Sequence, residues 1–103
     1  MDRMDQLKEF LLKDPGDSFL MHALALEFLK IEKLNEARDL FEKILLRDPG
    51  YIGSYYHLAK LLERLGQTDL AIHWYESGMT AANKAHDRHA FAELQSALEE
   101  LKP

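Results

Sequence analysis

Metal-ligating residue types crowd most closely at His86, Asp87 and His89. If a helix starts early enough, His86 and His89 share one of its faces and offer two imidazoles to an ion. A structural or catalytic metal needs three or four convergent ligands, and no cysteine or HExxH glutamate completes this set. The three residues are therefore expected to be solvated groups at a helix start, with no metal bound. His22, His57 and His73 are isolated in the sequence and are expected at the surface or in packing.

Nucleophilic chemistry has no local signature. The chain lacks GxSxG, a glycine-rich phosphate loop and a recognisable carboxylate pair, and Ser18, Ser54, Ser77 and Ser96 have no neighbouring base pattern. With no cysteine there is no thiolate nucleophile, thiolate metal site or disulfide. No catalytic residue, no cofactor and no enzymatic activity are expected. Tyr51, Tyr55, Tyr56 and Trp74 would suit base stacking on single-stranded nucleic acid. The nearby cations, Lys60 and Arg64, are offset by Glu63 and Asp69, so Tyr55 and Trp74 are expected in the core instead.

The elements that must position these side chains belong to a chain of 103 residues, room for one domain with a modest core. Thirteen basic and 18 acidic side chains give a net charge of -5, with both signs scattered. Neutralising phosphates needs a basic surface, so no nucleic-acid partner is expected. No stretch approaches the roughly 20 apolar residues of a membrane span, and "MDRMDQLKEF" lacks the apolar core of a signal peptide. The expectation is a cytoplasmic protein with no membrane partner.

Asp14-Pro15-Gly16 returns as Asp48-Pro49-Gly50, 34 residues later. At that shift Leu24-Ala25 falls on Leu58-Ala59, Ala37 on Ala71, and Phe41 on Tyr75. Such a period marks stacked supersecondary units. Within each unit the apolar residues recur at spacings of three and four: Met21, Leu24, Phe28 and Ile31, then Ala37, Leu40, Phe41 and Ile44. The second unit repeats this with Tyr55, Leu58, Leu62 and Leu65, then Ala71, Trp74, Tyr75 and Gly78. Two helices per unit follow. Gly66 can take the left-handed conformation that stops the first of the pair. Asn35 and Asp69 are expected near the N-terminus of the second. The DPG turns separate one pair from the next, because proline disfavours helix at the residue before it and cannot donate within one.

On these residues the chain resembles the tetratricopeptide repeat family, whose unit is a 34-residue antiparallel helix pair. The family's bulky, leucine, small, bulky, alanine, aromatic, small and proline positions are filled by Met21, Leu24, Ala25, Phe28, Ala37, Phe41, Ile44 and Pro49. In the second unit they are filled by Tyr55, Leu58, Ala59, Leu62, Ala71, Tyr75, Gly78 and Asn83. Ile44 and Asn83 depart from the pattern, and Asn83 in place of proline lets the second helix run on past Lys84. The resemblance implies an all-α fold, a right-handed superhelix of stacked antiparallel helix pairs with about six helices. Its expected organisation is one domain over 1–103: an N-terminal half-repeat helix at 2–13, repeat one at 18–49, repeat two at 52–85 and a capping helix at 87–102.

The family holds extended peptides or partner helices in a groove lined by the first helix of each unit. The resemblance places Phe19, His22, Leu26, Leu29 and Lys30 there from the first unit, and Gly53, Tyr56, Lys60, Glu63 and Arg64 from the second. Two arrangements remain open. Either these residues form a groove with an apolar and a mixed-charge half, or Phe19, Leu26 and Leu29 pack under the N-terminal helix and leave none. Some relatives clamp a chaperone's acidic tail with Lys and Asn side chains, but His22, Leu26 and His57 stand at the matching positions here, so that activity is not implied. The expected role is noncatalytic protein or peptide binding, or scaffolding. The alternative is self-association through apolar faces of the terminal helices.

Overall fold

Asp14 and Asp48 adopt nearly the same backbone angles, φ -141° and ψ 73° against φ -138° and ψ 74°. The proline that follows each one bars the helical region, so the chain turns at the same place in both repeats. In the computed structural model, which describes residues 2–102, these two turns and three tighter ones divide six helices, with no strand among the described residues. The helices are α1 (Arg3–Lys13), α2 (Ser18–Lys30), α3 (Leu34–Arg47), α4 (Gly53–Arg64), α5 (Thr68–Lys84) and α6 (Arg88–Leu101). None is long and apolar enough to cross a membrane.

The tighter turns share one hydrogen-bond pattern. After α2, the Lys33 N–H donates to the Phe28 carbonyl at 2.9 Å and the Glu32 N–H to the Leu29 carbonyl at 3.1 Å. Gln67 and Gly66 do the same to Leu62 and Glu63 after α4, and Asp87 and His86 to Ala82 and Asn83 after α5. This reversal puts its penultimate residue in the left-handed region. Those residues are Glu32 at φ 61°, Gly66 at φ 75° and His86 at φ 58°. Two expectations change as a result. α5 does not run past Lys84, because the reversal at Ala85 and His86 stops it even without proline. Lys33 and Gln67 hold the N-cap positions of α3 and α5 with no side-chain cap, which leaves Asn35 and Asp69 inside the first turn. Asp2, Asp17 and Asp87 do cap, accepting from the N–H groups of Asp5, Leu20 and Ala90.

The described residues fall into two compact units that divide between Asp48 and Pro49. In the first, α1 packs on α2 and α2 on α3. Ala25, Ala37, Phe41 and Ile44 of these helices are fully buried. The alanines admit close backbone approach, while burying Phe41 contributes about 1.5–3 kcal/mol. Leu7, Ala23 and Leu24 form a buried cluster joined by Met4, Leu11, Leu20, Phe28 and Leu40. The Lys8 ammonium lies 5.7 Å from the Phe28 ring centre.

In the second unit α4 packs on α5 and α5 on α6. Leu58, Ala59, Ala71, Tyr75 and Ala82 are fully buried, with Tyr55, Leu61, Leu62 and Leu94 nearly so. Gly78 is a point of close approach: a Cβ placed there would sit 2.7 Å from the Tyr55 Cβ and 3.0 Å from the Leu94 Cδ1. α6 buries Leu94, Ala97 and Leu98 and turns Glu93, Ser96, Glu99 and Glu100 to solvent.

Candidate functional site

Residues 19, 22, 26 and 29 lie on one face of α2 by helical spacing. Phe19 is 65% exposed, so no helix covers it. His22, Leu26 and Leu29 are half-buried, and the His22 ring meets Phe41 edge-on at 5.6 Å. Lys30 is exposed and paired with Glu27 at 2.8 Å. Glu27 also lies 3.9 Å from Arg3 on α1, an acidic contribution that the groove pattern did not include.

On α4, Tyr56 and Lys60 face α6 across a cleft of about 390 Å³, whose other lining residues are His89, Ala92, Glu93, Ser96, Ala97 and Glu100. A second hollow of about 310 Å³ continues from it at Gly53, Tyr56, His57, Ala90 and Glu93, along with Ile52 and Leu94. Tyr56 and Glu93 belong to both, so the two hollows form one strip along α4 and α6. The structure thus brings Gly53, Tyr56 and Lys60 together and adds a wall from α6. Arg64 is exposed and does not line the cleft. Glu63 does not line it either, but lies beside Lys60.

Glu63 ties the floor together. Its carboxylate accepts a short hydrogen bond from the Tyr75 hydroxyl and lies 3.7 Å from the Lys60 ammonium. Burial and then that hydrogen bond push the Tyr75 phenol far above its ordinary range. Lys60 in turn stands 5.7 Å from the Tyr56 ring centre, a cation over a π face. Tyr56 meets Tyr75 at 6.4 Å and His57 at 6.0 Å, both edge-on. Burial holds the His57 imidazole below its ordinary range, with the negative Glu93 across the cleft pulling the other way. The result is a surface of aromatic rings and charged groups in mutual contact.

The residues with metal-binding potential are engaged elsewhere. Asp87 caps α6 at 3.0 Å from the Ala90 nitrogen, His86 forms the left-handed turn, and His89 lies 3.5 Å from Glu93. Among the described residues no group of three His, Cys, Asp or Glu is placed to hold a metal. A further hollow of about 400 Å³ lies along α5 at Tyr55, Ser77, Thr80, Ala81 and Lys84. Two of its hydroxyls are engaged, that of Tyr55 donating to the Pro49 carbonyl at 2.5 Å and that of Thr80 to the Glu76 carbonyl at 3.2 Å.

The family model described as tetratricopeptide repeat matches residues 28–98. The chain belongs to the tetratricopeptide repeat family. Similar solved structures carry the same fold. A tetratricopeptide repeat domain protein from Salinibacter ruber is 42% identical with a TM-score of 0.82, the match covering 85% of this chain and 89% of that one. A protein from Bordetella parapertussis is 26% identical with a TM-score of 0.83, over 98% of this chain and 88% of that one. The TPR2B domain of yeast Sti1, in complex with pHsp70, is 15% identical with a TM-score of 0.87, over 95% and 78%. No curated protein matches. Within the tetratricopeptide repeat frame, Ala25, Ala37, Ala59 and Ala71 are fully buried small residues.

Proposed function

We propose that this tetratricopeptide repeat chain is a noncatalytic protein-interaction module. Its binding surfaces are those of the first helices: the α4–α6 cleft with Tyr56 and Lys60, flanked by Glu63 and Arg64, and the α2 face with Phe19, His22, Leu26, Leu29 and Lys30. The carrying observation is the cleft, where a partly exposed aromatic ring and a carboxylate are common to two adjoining hollows. A strip of that form suits a peptide or helix laid along it, since tyrosine is among the side chains that most often anchor an interface. The complex of the yeast Sti1 domain with pHsp70 adds support by analogy of fold.

Selection from a displayed random-peptide library tests the reading. Peptides should be enriched that bind in solution, and Tyr56→Ala should weaken them at least fivefold while the melting temperature holds. An absence of enrichment, or binding indifferent to both Tyr56→Ala and Leu26→Asp, counts against it.

A further inference from the structure

We infer that the α4–α6 cleft selects a basic segment of its partner, one that presents two cationic side chains about two helical turns apart along α6; this rests on the protein-binding reading above. Glu93 and Glu100 line the cleft from the same helix, seven residues apart. At 1.5 Å per residue their carboxylates sit about 10 Å apart along the axis. In a polyproline-type strand, residues three apart return to one face after about 9 Å, so arginines at i and i+3 span the same distance.

The charge count agrees. The cation lining the cleft, Lys60, is already within 3.7 Å of Glu63 and is stacked over Tyr56. Glu93 has His89 for a neighbour at 3.5 Å, and an imidazole is not a permanent cation. The lining therefore offers carboxylates to a ligand while its ammonium is neutralised from below. Tyr56 contributes a ring that already accepts one cation, the arrangement an arginine also favours. A solvated acidic helix face would have the same carboxylates without the opposing aromatic wall. The chain's net charge of -5 steers basic segments toward it from a distance.

The test uses three labelled synthetic peptides of one scaffold, carrying Arg, Gln or Glu at positions i and i+3, measured by fluorescence anisotropy at low and physiological salt. The arginine peptide should bind at least tenfold more tightly than the glutamate peptide. Glu93→Lys with Glu100→Lys should remove or reverse that preference; both side chains are exposed, so the fold tolerates the change. If the double variant melts early, Glu93→Gln and Glu100→Gln singly should each weaken the arginine peptide at least twofold. Three results overturn the inference: equal or tighter binding of the glutamate or glutamine peptide, an arginine preference that survives charge reversal, or no binding of any peptide. Binding of an uncharged or acidic peptide that Tyr56→Ala abolishes would sink the basic specificity and leave the protein-binding reading standing. Failure of the library selection as well would sink both.

Discussion

Single side chains decide where the backbones meet, and Gly78 is the sharpest case. Alanine there would gain about 1 kcal/mol in helix propensity, and overpacking costs about 1–3 kcal/mol. The obstructing atom is the Tyr55 Cβ at 2.7 Å, one bond from the backbone and unable to swing aside. Overpacking therefore wins, and Gly78→Ala should lose about 1 kcal/mol in urea unfolding; a gain would mean that α4 and α5 separate freely. Glu32 and Gly66 make a matched pair, 34 residues apart in the same left-handed turn. Glu32→Gly should stabilise by about 0.5–1 kcal/mol and Gly66→Ala should destabilise by a similar or larger amount, both read from denaturation midpoints. His57 contributes a pH dependence. Its folded pKa lies below the unfolded 6.5, so its contribution is intact above that value and is lost as pH falls from 6.5 toward the folded pKa. Between pH 7 and pH 5 the melting temperature should fall more steeply in the wild type than in His57→Gln; parallel slopes would refute the assignment.

Helices show what periodicity reveals and what it hides. The facing alanines were legible because Leu24-Ala25 and Leu58-Ala59 recur in register, as do Ala37 and Ala71, and all four alanines are fully buried. Ala59→Phe should accordingly cost about 1–3 kcal/mol through overpacking between α4 and α5, measurable by thermal melting against an exposed control such as Ala92→Phe. Gly66 was legible because the residue type matches the turn. Glu32 and His86 were not, since the chain reversal imposes the left-handed conformation on whatever residue stands there. His86 consequently resembled half a metal site in sequence and is a turn residue in space. The α6 wall of the cleft escaped notice for a different reason. A polar helix face reads as solvated until the element opposite it is known, and that Glu93 and Tyr56 line one cleft is a tertiary fact. Tyr56 and Lys60 could be picked from the repeat register; Glu93 and Glu100 could not.

For the whole molecule, the question is whether its exposed apolar side chains join it to a second copy. Phe10 is 53% and Leu12 84% exposed on α1. Two positions along a helix are about 200° apart around its axis, so these side chains point to opposite sides and form no single patch. Burying either one releases about 1.5–3 kcal/mol, whereas association costs about 4–15 kcal/mol in lost freedom before any net affinity appears. A net charge of -5 adds repulsion between copies. For α1 the balance favours the monomer. Sedimentation equilibrium should return 11.9 kDa unchanged over a roughly thirtyfold range of concentration at moderate salt. A mass that climbs with concentration and is restored to the monomer by Phe10→Gln would shift the assignment to self-association through α1.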